Sequence, residues 1–168
     1  MTIKAINRSL KNSAFNEMDH ALGRPVNPLT SSYRNFFCVG FDSPRGKEMD
    51  ASPYWDRVSS SDGSVTGFTV NEDGRQALSD HLIEIGDKHK VYDIHLNARK
   101  LGLDPDPDNR PIQVIAETKS KAKAAVWREI SDVFEDITFK DLMQAITSVD
   151  VAIENGMEPE APAPAPAP

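Results

Sequence analysis

A single cysteine, Cys38, stands in 168 residues, so no internal disulfide is available and the chain suits a reducing compartment. Cys38 lies in an apolar run, which reads as a small core residue rather than a nucleophile. No uninterrupted apolar stretch is longer than that run, 36–39, far short of the ~20 residues a membrane-crossing helix needs. The amino terminus lacks the apolar centre of a secretory signal, and the expectation is a soluble, intracellular protein with no membrane contact.

Chemical motifs are missing too. There is no phosphate-binding glycine loop, dinucleotide fingerprint or serine elbow. His20, His81 and His89 have no metal-ligand spacing, and Asp93 and His95 sit two apart on one predicted strand with no nucleophile within sequence reach. Asp104, Asp106 and Asp108 open like a calcium loop, but Asn109 replaces the turn glycine and Ile115 falls where a bidentate glutamate is required. The expectation is a protein that is not an enzyme, with no metal and no cofactor.

What is present is near globular: 39% hydrophobic and 27% charged residues, which excludes wholesale disorder. The net charge of −7 is unevenly spread. Residues 1–40 carry five basic and two acidic side chains, a net +3, whereas 41–86 carry four and nine, a net −5. The 87–157 stretch holds ten basic and thirteen acidic residues. Long-range steering therefore opposes approach to phosphate, and any nucleic-acid contact needs a local basic patch.

Periodicity divides the chain into two small modules. Residues 1–12 read as a flexible N-terminus. Ser13 is positioned to cap a helix carrying Phe15, Met18 and Leu22 on one face, with Gly23 and Pro25 ending it. A second helix is predicted over 28–39, capped by Asn27, although its Phe36-Phe37-Cys38-Val39 end also suits a strand. A weaker third helix is predicted over 47–58, with Pro53 near its start or kinking it. A turn cluster at 59–64, around Asp62-Gly63, leads into a strand over 65–70. Asn71 caps a helix through Leu78, Leu82, Ile83 and Ile85, stopped by Gly86, which closes a module of 13–86.

The second module, 87–153, opens on a strand that alternates Tyr92, Ile94 and Leu96 with Asp93, His95 and Asn97. A Pro/Asp-rich loop precedes a strand carrying Ile112, Val114 and Ala116 on one face. Helical spacing follows over 120–134, with an apolar stripe of Val126, Trp127, Ile130, Val133 and Phe134. The 137–149 segment fits both a helix capped by Thr138 and an alternating strand; a short strand passing into a helix is favoured. The 154–168 segment reads as a disordered, acidic Ala-Pro tail.

The run Gly67-Phe68-Thr69-Val70-Asn71-Glu72-Asp73-Gly74-Arg75-Gln76-Ala77-Leu78 resembles the second wing strand and closing helix of a winged-helix domain. Asn71 stands where that ending often has Thr, and either residue caps a helix. The fold class expected is α+β: a winged-helix-like N-terminal module followed by a small β-β-α-β/α module. Two wider stretches, one including Tyr33-Arg34-Asn35-Phe36-Phe37 and the other Leu96-Asn97-Ala98-Arg99-Lys100-Leu101-Gly102-Leu103-Asp104, resemble small uncharacterised proteins of bacteriophages and prophages of alphaproteobacteria. That resemblance implies a phage origin and the cytoplasm of a bacterial host, and no particular activity.

The nucleic-acid-binding candidates are Arg34, Arg45, Lys47 and Arg57 in the first module and Lys119, Lys121 and Lys123 in the second. Residues 45–64 hold three cations against four carboxylates, poor for a major-groove reader. Three lysines at a helix start oppose its dipole and would be compensated by a bound anion; the competing account is a solvated helix face balanced by Glu117 and Glu129. Tyr54 and Trp55, after Pro53 in an acidic stretch, are the candidate protein-binding anchor, against core packing. The expectation is a non-enzymatic phage accessory protein that binds a nucleic acid or a host protein. The alternatives are an acidic inhibitor of a bacterial defence or transcription complex, and a minor virion or assembly component.

Overall fold

The computed structural model describes residues 6–58, 65–108 and 110–157. Among them, five α-helices and two antiparallel three-stranded sheets form an α+β fold. No helix of the described residues is long and apolar enough to cross a membrane. The Asp62-Gly63 turn and the Ala-Pro run from 158 onward lie outside the described residues.

Helix α1 (Ser13–Ala21) is capped one residue earlier than predicted: the Asn12 side chain accepts from the amides of Ala14 and Phe15. Met18, Ala21 and Leu22 are buried, and Gly23 leaves the helix at φ 80°. The preceding segment is not a frayed arm over its described part, because Ile6, Arg8 and Leu10 are all buried.

The helix expected over 28–39 does not form. Asn27 and Ser31 close a local turn instead: Asn27 Oδ1 accepts from the Leu29 amide, and the Ser31 hydroxyl donates to the Asn27 carbonyl at 2.9 Å. Such side-chain bonds offer the backbone an alternative to the helix ladder. Asn35 then bonds both the amide and the carbonyl of Val70, each at 2.8 Å, drawing the chain out straight. Strand β1 (Phe37–Gly40) follows.

Helix α2 (Pro44–Asp50) starts at Ser43, with Pro44 in the first turn, and is shorter than predicted. Pro53 has no amide to give the ladder, so the chain leaves helix before it and enters β2 (Trp55–Val58). Strand β3 (Val65–Val70) pairs with both, giving the order β1-β3-β2. Between β1 and β2 the only helix is α2, so that connection holds no helix-turn-helix pair.

Helix α3 (Glu72–Glu84) is capped by Asn71, whose Oδ1 accepts from the Gly74 amide at 3.0 Å. Gly74 must lack a side chain: a Cβ there would lie 2.5 Å from the Tyr54 carbonyl oxygen. Leu78 and Leu82 pack with Met18, Leu22, Met49, Trp55, Phe68 and Val70 into the first core. Ile83 and Ile85, predicted on the same stripe, face outward.

In the second sheet β4 (Lys90–Leu96) is central, between β5 (Ile112–Ala116) and β6 (Ile146–Glu154). Tyr92 and Ile94 pack under α4 (Lys119–Ser131) and α5 (Phe139–Ala145) with Val114, Ala122, Val126, Leu142 and Val149. Val133 and Phe134 lie beyond the end of α4 and are exposed. The order expected over 137–149 is reversed, because Thr138 and Asp141 form a reciprocal capping box that commits 139–145 to helix before the strand begins.

A third cluster joins the halves. Ile6 and Val26 pack on Val91, with Ile115, Ala152 and Ile153 around them, so the back of the second sheet is buried at one end. Polar ties flank it. Asn27 Nδ2 donates to the carbonyls of Glu154 and Met157, and Asn155 exchanges 2.8 Å bonds with the Ser79 hydroxyl and carbonyl.

Candidate nucleic-acid interface

The cations of the first half are largely neutralised. Arg45 bonds Glu17 and Glu48, and the Glu17 bond is the main cause of a guanidinium pKa raised above its ordinary value. Lys47 meets Asp42 at 2.9 Å and Arg57 meets Asp50 at 3.0 Å. Lys47 lies on the seven-residue α2 and Arg57 beside it, so the predicted reading helix is neither long nor basic. Arg34 stays exposed, with its guanidinium 5.8 Å from the Tyr33 ring centroid and one nitrogen donating to the His20 carbonyl.

Trp55 is not an exposed anchor. It begins β2 on the inward face, opposite Val70, and only 9% of it is exposed; its ring lies 5.9 Å from Phe37. Tyr54 is half-buried against the same core. Cys38, expected in the core, is exposed on β1, because strand alternation turns its neighbours Phe37 and Val39 inward instead.

The lysines of α4 are arranged differently. Thr118 caps the helix through the Lys121 amide. At 100° per residue, Lys119 and Lys123 share one side of α4, whereas Lys121 shares the other with Arg128. Lys121 and Arg128 line a cleft of 330 Å³ between α4 and β5, together with His89 and Glu117 and a floor of Ile115, Ala116, Ala124 and Ala125. Lys121 Nζ reaches Glu117 at 2.5 Å.

That bond, and the Lys121 charge, hold the Glu117 carboxyl below its ordinary value, and the nearby charges of His89 and Lys88 add to the effect. A carboxylate depressed in the folded state favours folding above its unfolded pKa, and this contribution fades as pH falls through the folded value. Lys121→Ala is therefore expected to move the Glu117 titration upward toward the ordinary carboxylate range, observed through its side-chain carboxyl carbon by NMR. The sequence did not point to His89 or Arg128; His89 reaches this cleft because β4 and β5 pair with Lys90 opposite Ala116, and Arg128 because it lies seven residues after Lys121 on α4.

Two other clusters bear on chemistry. Pairing of β4 with β6 places Ser148 opposite His95 and Asp150 opposite Asp93. Asp93 is bonded by Gln113 at 2.9 Å, and among the described residues no hydrogen bond links the His95 ring to Ser148 or to either carboxylate. In the Pro/Asp loop, Arg110 bridges Asp106 at 3.3 Å and Asp108 at 3.2 Å, so these carboxylates face a cation of the same loop.

The fold and this cleft define an α+β protein with a cation-lined groove beside an edge strand. No protein-family model, curated protein or solved structure matches the chain.

Proposed function

We propose that this protein acts by binding rather than by catalysis, and that the α4–β5 cleft contacts the phosphate backbone of a nucleic acid. The observation that carries the proposal is the cleft itself, which Lys121, Arg128 and His89 line together with the Glu117 carboxylate, while the charge of Lys88 also acts on Glu117. Arg45, Lys47 and Arg57 are each bonded to a carboxylate, as Lys121 is to Glu117, whereas Arg128 Nε donates to the Ala124 carbonyl at 3.4 Å. Lys119 and Lys123 lie on the other side of α4 and are not part of this cleft.

On this reading the N-terminal half is a winged-helix-like scaffold. The sheet order β1-β3-β2, with α3 closing onto it after β3, supports that view. The phage resemblance fits a small accessory protein in a bacterial host. A second reading, a host-protein ligand that presents carboxylates to a basic groove, draws on the net −5 of residues 41–86.

Titration of labelled duplex DNA, single-stranded DNA and RNA tests the proposal across about 50 to 200 mM salt. Each duplex phosphate neutralised should weaken affinity about 3.5-fold over that range, so three give a drop of about 40-fold. Absence of binding at the low-salt end, with all three ligands, would reject the nucleic-acid reading and leave the protein-partner one.

A further inference from the structure

Strand β5 lies at an edge of the second sheet and pairs with β4 alone. Among the described residues, no hydrogen bond reaches its backbone from the side away from β4. Ile112–Ala116 has neither a charge nor a proline, two devices that commonly guard an edge strand against further pairing. Recesses flank that open edge. Ile115 and Ala116 point to opposite faces of the sheet, so the α4–β5 cleft, which both line with Ala124 and Ala125, opens at the edge itself. A second recess, of 690 Å³, lies against Ile112 and Gln113 at the other end of the strand, with Ile130 and Phe134 on its far wall.

The chain leaves the described residues at the end of this sheet where the cleft lies. Glu154 of β6 pairs with Lys90, Lys90 pairs with Ala116 of β5, and the Met157 amide closes a turn onto the Glu154 carbonyl at 3.2 Å. Residues 158–168 read Glu-Pro-Glu-Ala-Pro-Ala-Pro-Ala-Pro-Ala-Pro. Three strand spacings, about 14 Å, separate β6 from the free side of β5, a span that four extended residues cover. Glu158 and Glu160 fall within those four. Lys121 is already bonded to Glu117, which leaves Arg128, with its Nε on the Ala124 carbonyl, and the exposed Lys88 to meet a further carboxylate.

We infer that residues 158–168 add to β5 as an antiparallel edge strand, with Glu158 and Glu160 beside the cleft's cations, and so compete with nucleic acid for the cleft. The competition rests on the phosphate reading of that cleft; the strand addition does not. The alternation of the segment suits this role. In a strand, successive backbone groups turn to opposite edges, so Ala163, Ala165 and Ala167 present every amide to β5 while the prolines, which have none, face outward. Each of these alanines precedes a proline and is thereby biased to extended backbone, which reduces the ordering cost. Attachment to the same chain gives the segment an advantage in effective concentration over a strand from another protein.

The test compares the full chain with two variants by amide hydrogen exchange. In the wild type, the β5 amides turned away from β4 should be protected. Ala163→Pro/Ala165→Pro removes donors that face β5 and leaves the charge unchanged; those β5 amides should then exchange about 2- to 12-fold faster, the factor that one net backbone hydrogen bond supplies. Ala163→Ser/Ala165→Ser keeps the donors and should keep the protection. Labelled duplex DNA at low salt should bind the proline variant more tightly by the same factor, because both measurements read the fraction of molecules with the cleft open.

Equal exchange in the wild type and the proline variant overturns the inference and leaves the cleft reading to its own salt titration. Faster exchange in the proline variant with duplex affinity unchanged overturns the competition. Protection lost in the proline variant and kept in the serine variant, with no duplex binding by any of the three chains, upholds the strand addition and removes the cleft reading.

Discussion

Arg8→Ala is expected to lower the unfolding free energy by about 3 to 5 kcal/mol, the usual cost of stripping one partner from a buried ion pair. Arg8 is 7% exposed and Asp19 fully buried. The guanidinium bonds both Asp19 oxygens, Asp87 at 2.6 Å and the Pro25 carbonyl at 3.0 Å, so one side chain ties the chain start to α1 and to the link between the sheets. Without it Asp19 keeps a buried charge with no counterion. Asp87 still has His89 Nδ1 at 2.7 Å.

Urea denaturation followed by tryptophan emission measures the loss. Trp55 lies in the first core and Trp127 against the second, so single-tryptophan variants report each half. Because Arg8 adjoins the shared interface, both transitions should move together. A destabilisation below about 1 kcal/mol would mean that water reaches Asp19 and solvates its charge in the variant.

Phe68→Ala should cost a similar amount, about 3 to 5 kcal/mol, by removing a large ring from a packed interior. Phe68 is fully buried at the middle of β3, opposite Phe37 on one side and Arg57 on the other, with the Arg57 guanidinium 5.9 Å from the ring centroid. Effects of this size are a large part of the roughly 5 to 15 kcal/mol typical of a whole domain. Phe36→Ala, on the exposed face of the same sheet, is expected to stay within about 0.5 kcal/mol. Equal destabilisation by the two would show that Phe36 is a core residue and not an exposed one.

The Asn71 helix cap and the Tyr92-Ile94-Leu96 alternation were legible in the sequence, each sitting in the element it predicts. At 138 the Thr-capped helix was the reading not favoured, and the first cap fell on Asn12 and not Ser13. Failures came where a long-range partner decided the outcome. Leu29, Tyr33, Phe36 and Phe37 have helical spacing, yet Asn35 is held by Val70 from a strand distant in sequence, and β1 is completed by β3. Arg8 gave no local sign of burial, since its partners Asp19 and Asp87 meet only after α1 and α3 have packed.

The candidate site was half visible. Three alternating lysines marked the start of α4, but helical geometry assigns Lys121 alone to the cleft and sends Lys119 and Lys123 to the other side. Arg45, Lys47 and Arg57 looked equivalent to them as sequence. Their carboxylate partners include Glu17 from α1, which no local pattern pairs with Arg45.

The most direct test of the binding account compares two triple variants at low salt against the wild-type chain, with labelled duplex as ligand. Lys88→Ala/Lys121→Ala/Arg128→Ala should abolish most phosphate-driven affinity and lower the log–log salt slope by about one for each phosphate no longer neutralised. Arg45→Ala/Lys47→Ala/Arg57→Ala should leave both nearly unchanged, because those charges are already met within the fold. The reverse pattern, binding abolished without the α2 and β2 cations and kept without the cleft cations, would contradict the account and place the interface on the N-terminal half.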